Sequence, residues 1–189
     1  MNWPLFALIS WILFGLELGF RDALRLGPTP IAPSFVVPFL VFVSISAPPN
    51  VLRIAALILG LVTDLTFPIE LRDGGPSATI IGPYALGYLL ASQLVLTLRS
   101  MMIRRNPLTV AFLSVLAAAV AQIVVVTMFT TRSVIGDPID WHPTHELLTR
   151  LASALTCSVS GLVLSFVLLP LAPLLGLNIG PARRNPRRS

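Results

Sequence analysis

Long apolar runs, separated by short segments rich in Pro, Gly and Arg, dominate the chain from Trp3 to Leu175. Several approach the roughly 20 residues a helix needs to cross a bilayer. No other feature limits the fold as strongly. In hydrocarbon every backbone N–H and C=O must find its partner inside the protein, so such runs become the helices of a membrane bundle. Charged residues make up only 11% of the sequence, against about 25% in an ordinary soluble domain.

The 189 residues leave room for about six spans joined by short connections. Their expected bounds are Trp3 to Phe20, Ile31 to Ser46, Val51 to Phe67, Ser77 to Leu98, Leu108 to Phe129 and Leu147 to Leu175. The second, within "GPTPIAPSFVVPFLVF", is short and proline-rich, and is expected to be kinked or partly re-entrant. The amino end lacks a basic n-region and a small-residue cleavage site, so it reads as a retained span and not a signal peptide. Residues 1–180 form a single all-α transmembrane domain in this reading, and 181–189 a disordered basic tail.

Arginine placement sets the orientation. Six spans put Arg53, Arg99, Arg104, Arg105, Arg183, Arg184, Arg187 and Arg188 on one side of the membrane. All eight acidic residues fall on or toward the other, among Arg21, Arg25, Arg72, Arg132 and Arg150. The first side is expected to be cytoplasmic, with both termini there. Arg104 and Arg105 in the inner loop and the four arginines of the tail would lie against anionic lipid. This placement accounts for the high isoelectric point without nucleic-acid binding.

Charges inside the spans attract the functional question. Asp64 stands in "GLVTDLTF" near the outer end of the third span, where a carboxylate must face the protein interior, a partner or an open cavity. A backbone-capping role is the plain alternative. Glu17 sits at a comparable depth and is expected to pair with Arg21 one turn later. Convergence of Glu17 and Asp64 would make a proton or cation site.

Small residues mark expected helix contacts: Gly15 and Gly19 in the first span, Ala78 and Gly82 in the fourth, and Ser153, Cys157, Gly161 and Ser165 in the sixth. In "GPYALGY", Pro83 is expected to kink a helix, while Tyr84 and Tyr88 share a face for packing, interfacial anchoring or a pocket. His142 and His145 have HxxH spacing beside Asp140 and Glu146. Pro143 between them disfavours a zinc-binding helix, and a solvated loop with Trp141 at the membrane interface is expected. No phosphate loop, Ser-His-Asp spacing or paired intramembrane acids occur, so no enzyme, cofactor or metal is expected. Cys157 is the one cysteine and reads as a packing residue.

The stretch "LILGLVTDL", with Gly60 and Asp64 in Gly-x-x-x-Asp spacing before Leu65, followed by "GPYALGYLLASQL", resembles the rod shape-determining protein MreD family. The resemblance implies a non-enzymatic scaffold of the bacterial cytoplasmic membrane. Its partners would be an MreC-like membrane protein, RodA with its transpeptidase, and indirectly MreB filaments. Gly60, Asp64, Gly82, Tyr84, Gly87 and Tyr88 are the residues expected to shape or bind through this region. That family is similar in fold to the substrate-binding subunits of energy-coupling-factor transporters, so the alternative is a subunit that binds a vitamin-type small molecule in an outward pocket.

Overall fold

The structure is a computed structural model. It describes residues 1–25, 27, 29, 31–68, 79–100, 106–135 and 141–177. Six helices follow in order: α1 Trp3–Phe20, α2 Val36–Ser46, α3 Pro49–Thr66, α4 Pro83–Leu98, α5 Pro107–Ile135 and α6 Pro143–Leu171. No strand occurs among the described residues. α1, α3, α5 and α6 are each long and apolar enough to cross a membrane. The protein is a helical membrane bundle, with exposed apolar side chains such as Trp11, Leu61, Phe112 and Phe166 on its outer faces.

Proline starts most of these helices. It occupies one of the first two positions of α1, α3, α4 and α6, and α5 opens on Pro107. The first N–H groups of a helix have no partner within it, so a residue lacking that donor leaves fewer to satisfy in lipid. This corrects two expectations. Pro83 does not kink a longer helix; it begins α4, which is 16 residues long. Pro143 does not break the segment around the histidines, because α6 begins there and His142 is its N-cap.

α2 departs furthest from the expected span. Only 11 residues are helical, and ten of them are buried. Pro33 disfavours helical geometry at Ala32, and the helix itself begins at Val36. Apolar on every side, it has the pattern of a helix enclosed by protein, and it packs against all five others. Its length is about 16 Å, half of the roughly 30 Å hydrocarbon layer. The Ser160 hydroxyl donates to the Ser34 carbonyl at 2.7 Å. The start of α2 therefore lies deep in the bundle, about 25 Å along α6 from Pro143.

The remaining helices close around it through small residues. A Cβ on Gly161 of α6 would come within 2.9 Å of the Ser114 hydroxyl and 3.2 Å of the Ala111 Cα on α5. One on Gly87 of α4 would lie 3.0 Å from the Ala121 carbonyl. Cys157 and Ser165 are buried on the α6 stripe, and Ser153 is half-buried. Gly15 and Gly19 behave otherwise. Both are exposed, and a Cβ on either would meet nothing within 4 Å. They make no close helix contact among the described residues, because α1 turns its other face, with Phe6 and Leu13, toward the core.

The backbone N–H of Asn2 donates to the Leu175 carbonyl at 2.9 Å, so the start of α1 and the segment after α6 share one end of the bundle. We call this the near end. The expected lipid-facing arginines Arg104, Arg105, Arg183, Arg184, Arg187 and Arg188, together with Ala78, lie outside the described residues.

Candidate functional site at the far end of the bundle

Three helix termini inside this bundle are closed by charged side chains from other helices. The first is the start of α4. Asp64, in the last turn of α3, accepts the Gly82 N–H at 2.9 Å and the Ala85 N–H at 3.1 Å on Oδ2, and the Tyr84 N–H at 2.9 Å on Oδ1. Pro83 supplies no donor, so the carboxylate takes the first available N–H groups of the helix. Negative charge there also complements the positive end of the helix dipole.

Gly60 makes this geometry attainable. One turn before Asp64, it lies so close to α4 that a Cβ would overlap the Ala85 Cα and sit 2.7 Å from the Tyr84 carbonyl. Gly82 has a different reason to be glycine. No described residue crowds it, but its φ of 128° lies in the region that side chains with a Cβ rarely adopt. The Ala78–Gly82 spacing therefore does not report a close helix approach at Gly82.

The start of α2 is the second closed terminus. Glu17 Oε2 accepts the Phe35 and Val36 N–H groups and the Ser34 hydroxyl, each at 3.0 Å. The expected pair with Arg21 is replaced by this cap. Arg21 instead lies over the Phe67 ring, 4.5 Å from its centre, at the end of α3. At the other end of α2, Arg99 Nη1 donates to the Ser44 and Ala47 carbonyls at 3.1 and 2.8 Å. An acid at the N-terminus and a base at the C-terminus match the dipole of a helix too short to reach water at both ends.

Arg150 organises the mouth of the bundle. Its Nε donates to Glu146 at 2.9 Å, and its Nη1 donates to the Tyr84 hydroxyl at 2.8 Å and to Gln122 Oε1 at 3.2 Å. One guanidinium thus joins α6 to α4 and α5. Trp141 packs beside it, with the ring centre 5.5 Å from the guanidinium carbon. That indole is buried, stands 5.2 Å from Phe129 and donates to the Thr130 hydroxyl at 3.0 Å. It is an interior residue and not the lipid-interface anchor expected. Tyr84 and Tyr88 meet edge to face at 6.0 Å, and Tyr88 is buried.

These groups surround one cavity of about 460 Å³. Glu17, Asp64, Tyr84, Tyr88, Gln122 and Arg150 all line it, so the two intramembrane acids converge on a common space. Both acids already hold helix N-termini, which opposes their use as a bare cation site. No cluster of three or more metal-ligating side chains occurs among the described residues.

Arg150 and Gln122 were not singled out from the sequence. Gln122 did carry a signal, as the one amide in "VAQIVVV", where an unsatisfied polar group is costly. Arg150 counts in the sequence only toward the charge of the outer side, although it lies within the expected sixth span. Asp64 and Glu17 are legible as placed acids, but the donors they hold are 17 to 21 residues away. No family model, characterised protein or solved structure matches the chain.

Proposed function

We propose that this chain is a non-enzymatic scaffold of the bacterial cell-elongation machinery, acting as MreD-like proteins do. It sits in the cytoplasmic membrane and engages an MreC-like membrane protein, and through it RodA with its transpeptidase and MreB filaments. The observation that carries the reading is the use made of Gly60 and Asp64, the residues on which the resemblance rests. Together they fasten α3 to α4 by close approach and by three charge-assisted hydrogen bonds. A scaffold needs a fixed arrangement of lipid-exposed helices, and such a fastening supplies one.

The exposed apolar side chains of α1 and α3, including Leu8, Trp11, Ile58 and Leu65, provide faces for a partner's transmembrane helix. The near end is assigned to the cytoplasm because Arg53 and Arg99 stand there without nearby acids in sequence, whereas Asp22, Asp64 and Glu146 accompany the far-end arginines. Depleting the protein from a rod-shaped host tests the reading. Rounded cells with dispersed wall synthesis are expected; rods of unchanged width would contradict it.

A further inference from the structure

The capping bonds and the Arg150 network explain why polar side chains stand around the far-end cavity, but they do not explain the cavity. Protein interiors are close-packed, and a bundle fastened this firmly has no need of a polar void. Each of three lining side chains also keeps a function that no described residue engages. Glu17 bonds only through Oε2, Gln122 accepts through Oε1 but donates nothing, and Arg150 uses Nε and Nη1 but not Nη2. None of Glu17 Oε1, Gln122 Nε2 and Arg150 Nη2 is among the sealed, unsatisfied side-chain atoms. All three residues line the cavity.

Their placement is asymmetric. Gln122 and Tyr84 both accept from Arg150, so the guanidinium, the amide N–H₂ and the phenol O–H form one cluster of donors. Glu17 presents a lone acceptor at the floor, beside Ser34 and Cys157. Seven residues of α6 separate Arg150 from Cys157, about 10 Å along the helix. The rest of the wall mixes apolar and aromatic side chains, among them Tyr88, Ala118 and Ala154, with the hydroxyls of Thr63 and Ser153. The charges nearly cancel: three lining carboxylates face two guanidiniums and two helix N-termini, each terminus equivalent to about half a positive charge. A ligand with a large net charge is therefore disfavoured, and one with separated opposite charges is favoured. Arg21 and Pro68 on the lining are exposed, so the cavity reaches the surface at this end.

We infer that the far-end cavity is a binding site for a dipolar small molecule of about tripeptide size. The ligand's carboxylate meets Arg150, Gln122 and Tyr84, its apolar middle meets Tyr88 and Ala118, and its ammonium meets Glu17. This site is independent of the scaffold reading and does not require it.

The test uses the full chain in lipid nanodiscs and the zwitterionic tripeptide Gly-Phe-Gly as probe, with binding followed by calorimetry. Saturable binding is expected, weakened at least about tenfold by N-acetylation and by C-amidation. Phenylalanine, with its charges too close together, should bind at least about tenfold more weakly than the tripeptide. Glu17→Gln retains an oxygen to hold α2 and should abolish the preference for the free amine. Ser153→Phe, which fills the cavity from α6, should remove binding while the bundle keeps its thermal transition. Absence of binding to the unmodified protein at up to about 10 mM, equal binding of the blocked peptides, or full binding by a folded Ser153→Phe variant would each overturn the inference.

Discussion

The Asp64 carboxylate accepts the Tyr84 backbone N–H at 2.9 Å, joining the last turn of α3 to the first turn of α4 across 20 residues of sequence. It also holds Gly82 and Ala85, so one side chain serves as the cap of a neighbouring helix. In water such a cap contributes about 1 kcal/mol. Asp64 is buried and holds three N–H groups at once, and a buried donor that loses its charged acceptor costs about 1–3 kcal/mol.

Replacement of Asp64 should separate charge from capping. Asp64→Ala is expected to destabilise the bundle by more than about 3 kcal/mol, because three donors lose a charged acceptor. Asp64→Asn keeps one oxygen and should lose roughly half as much. Reversible unfolding in mixed micelles reads both. Equal, small losses would show that the carboxylate does not hold α4.

Glycine substitutions should divide sharply by position. Gly60→Ala drives a methyl into the Ala85 backbone and should cost about 3 kcal/mol. Gly15→Ala and Gly19→Ala meet open space and should be neutral or stabilise by up to about 1 kcal/mol. The same unfolding assay compares them.

Glu17 and Arg21 should respond independently. Glu17→Ala strips the α2 N-terminus of its acceptor and should lose about 2–3 kcal/mol. Arg21→Ala removes only a guanidinium over Phe67, worth about 0.5–1 kcal/mol. Strong coupling in the double-mutant cycle would restore the ion pair that the sequence suggested.

The Arg150 network should be graded as well. Tyr84→Phe deletes one acceptor and is expected to cost about 1 kcal/mol, while Arg150→Ala leaves Gln122 and Tyr84 without their shared donor and should cost about 2–3 kcal/mol. Thermal unfolding in nanodiscs distinguishes the two.

The all-helical membrane bundle was legible because the length of an apolar run needs no tertiary information. Asp64 and Glu17 stood out for the same reason, as charges where lipid permits few. Their partners were hidden. A carboxylate four residues before an arginine reads locally as a pair, yet Glu17 was drawn to the end of a helix 19 residues away. The apolar composition continues through Ile31 and Ala32 and so suggests a longer α2, whereas the helix starts at Val36, where Glu17 caps it from α1. Trp141 was placed at an interface from its residue type, and only the packing of Phe129, Thr130 and Arg150 around it buries the ring. The cavity is a product of helix arrangement and had no local signature.

Co-purification from native membranes tests the scaffold claim most directly. The tagged chain, expressed at its own level, should bring down an MreC-like membrane protein in comparable amount, and Gly60→Ala should weaken that capture. Recovery of a transporter's ATPase and transmembrane coupling subunits instead, with no MreC-like protein present, would contradict the account.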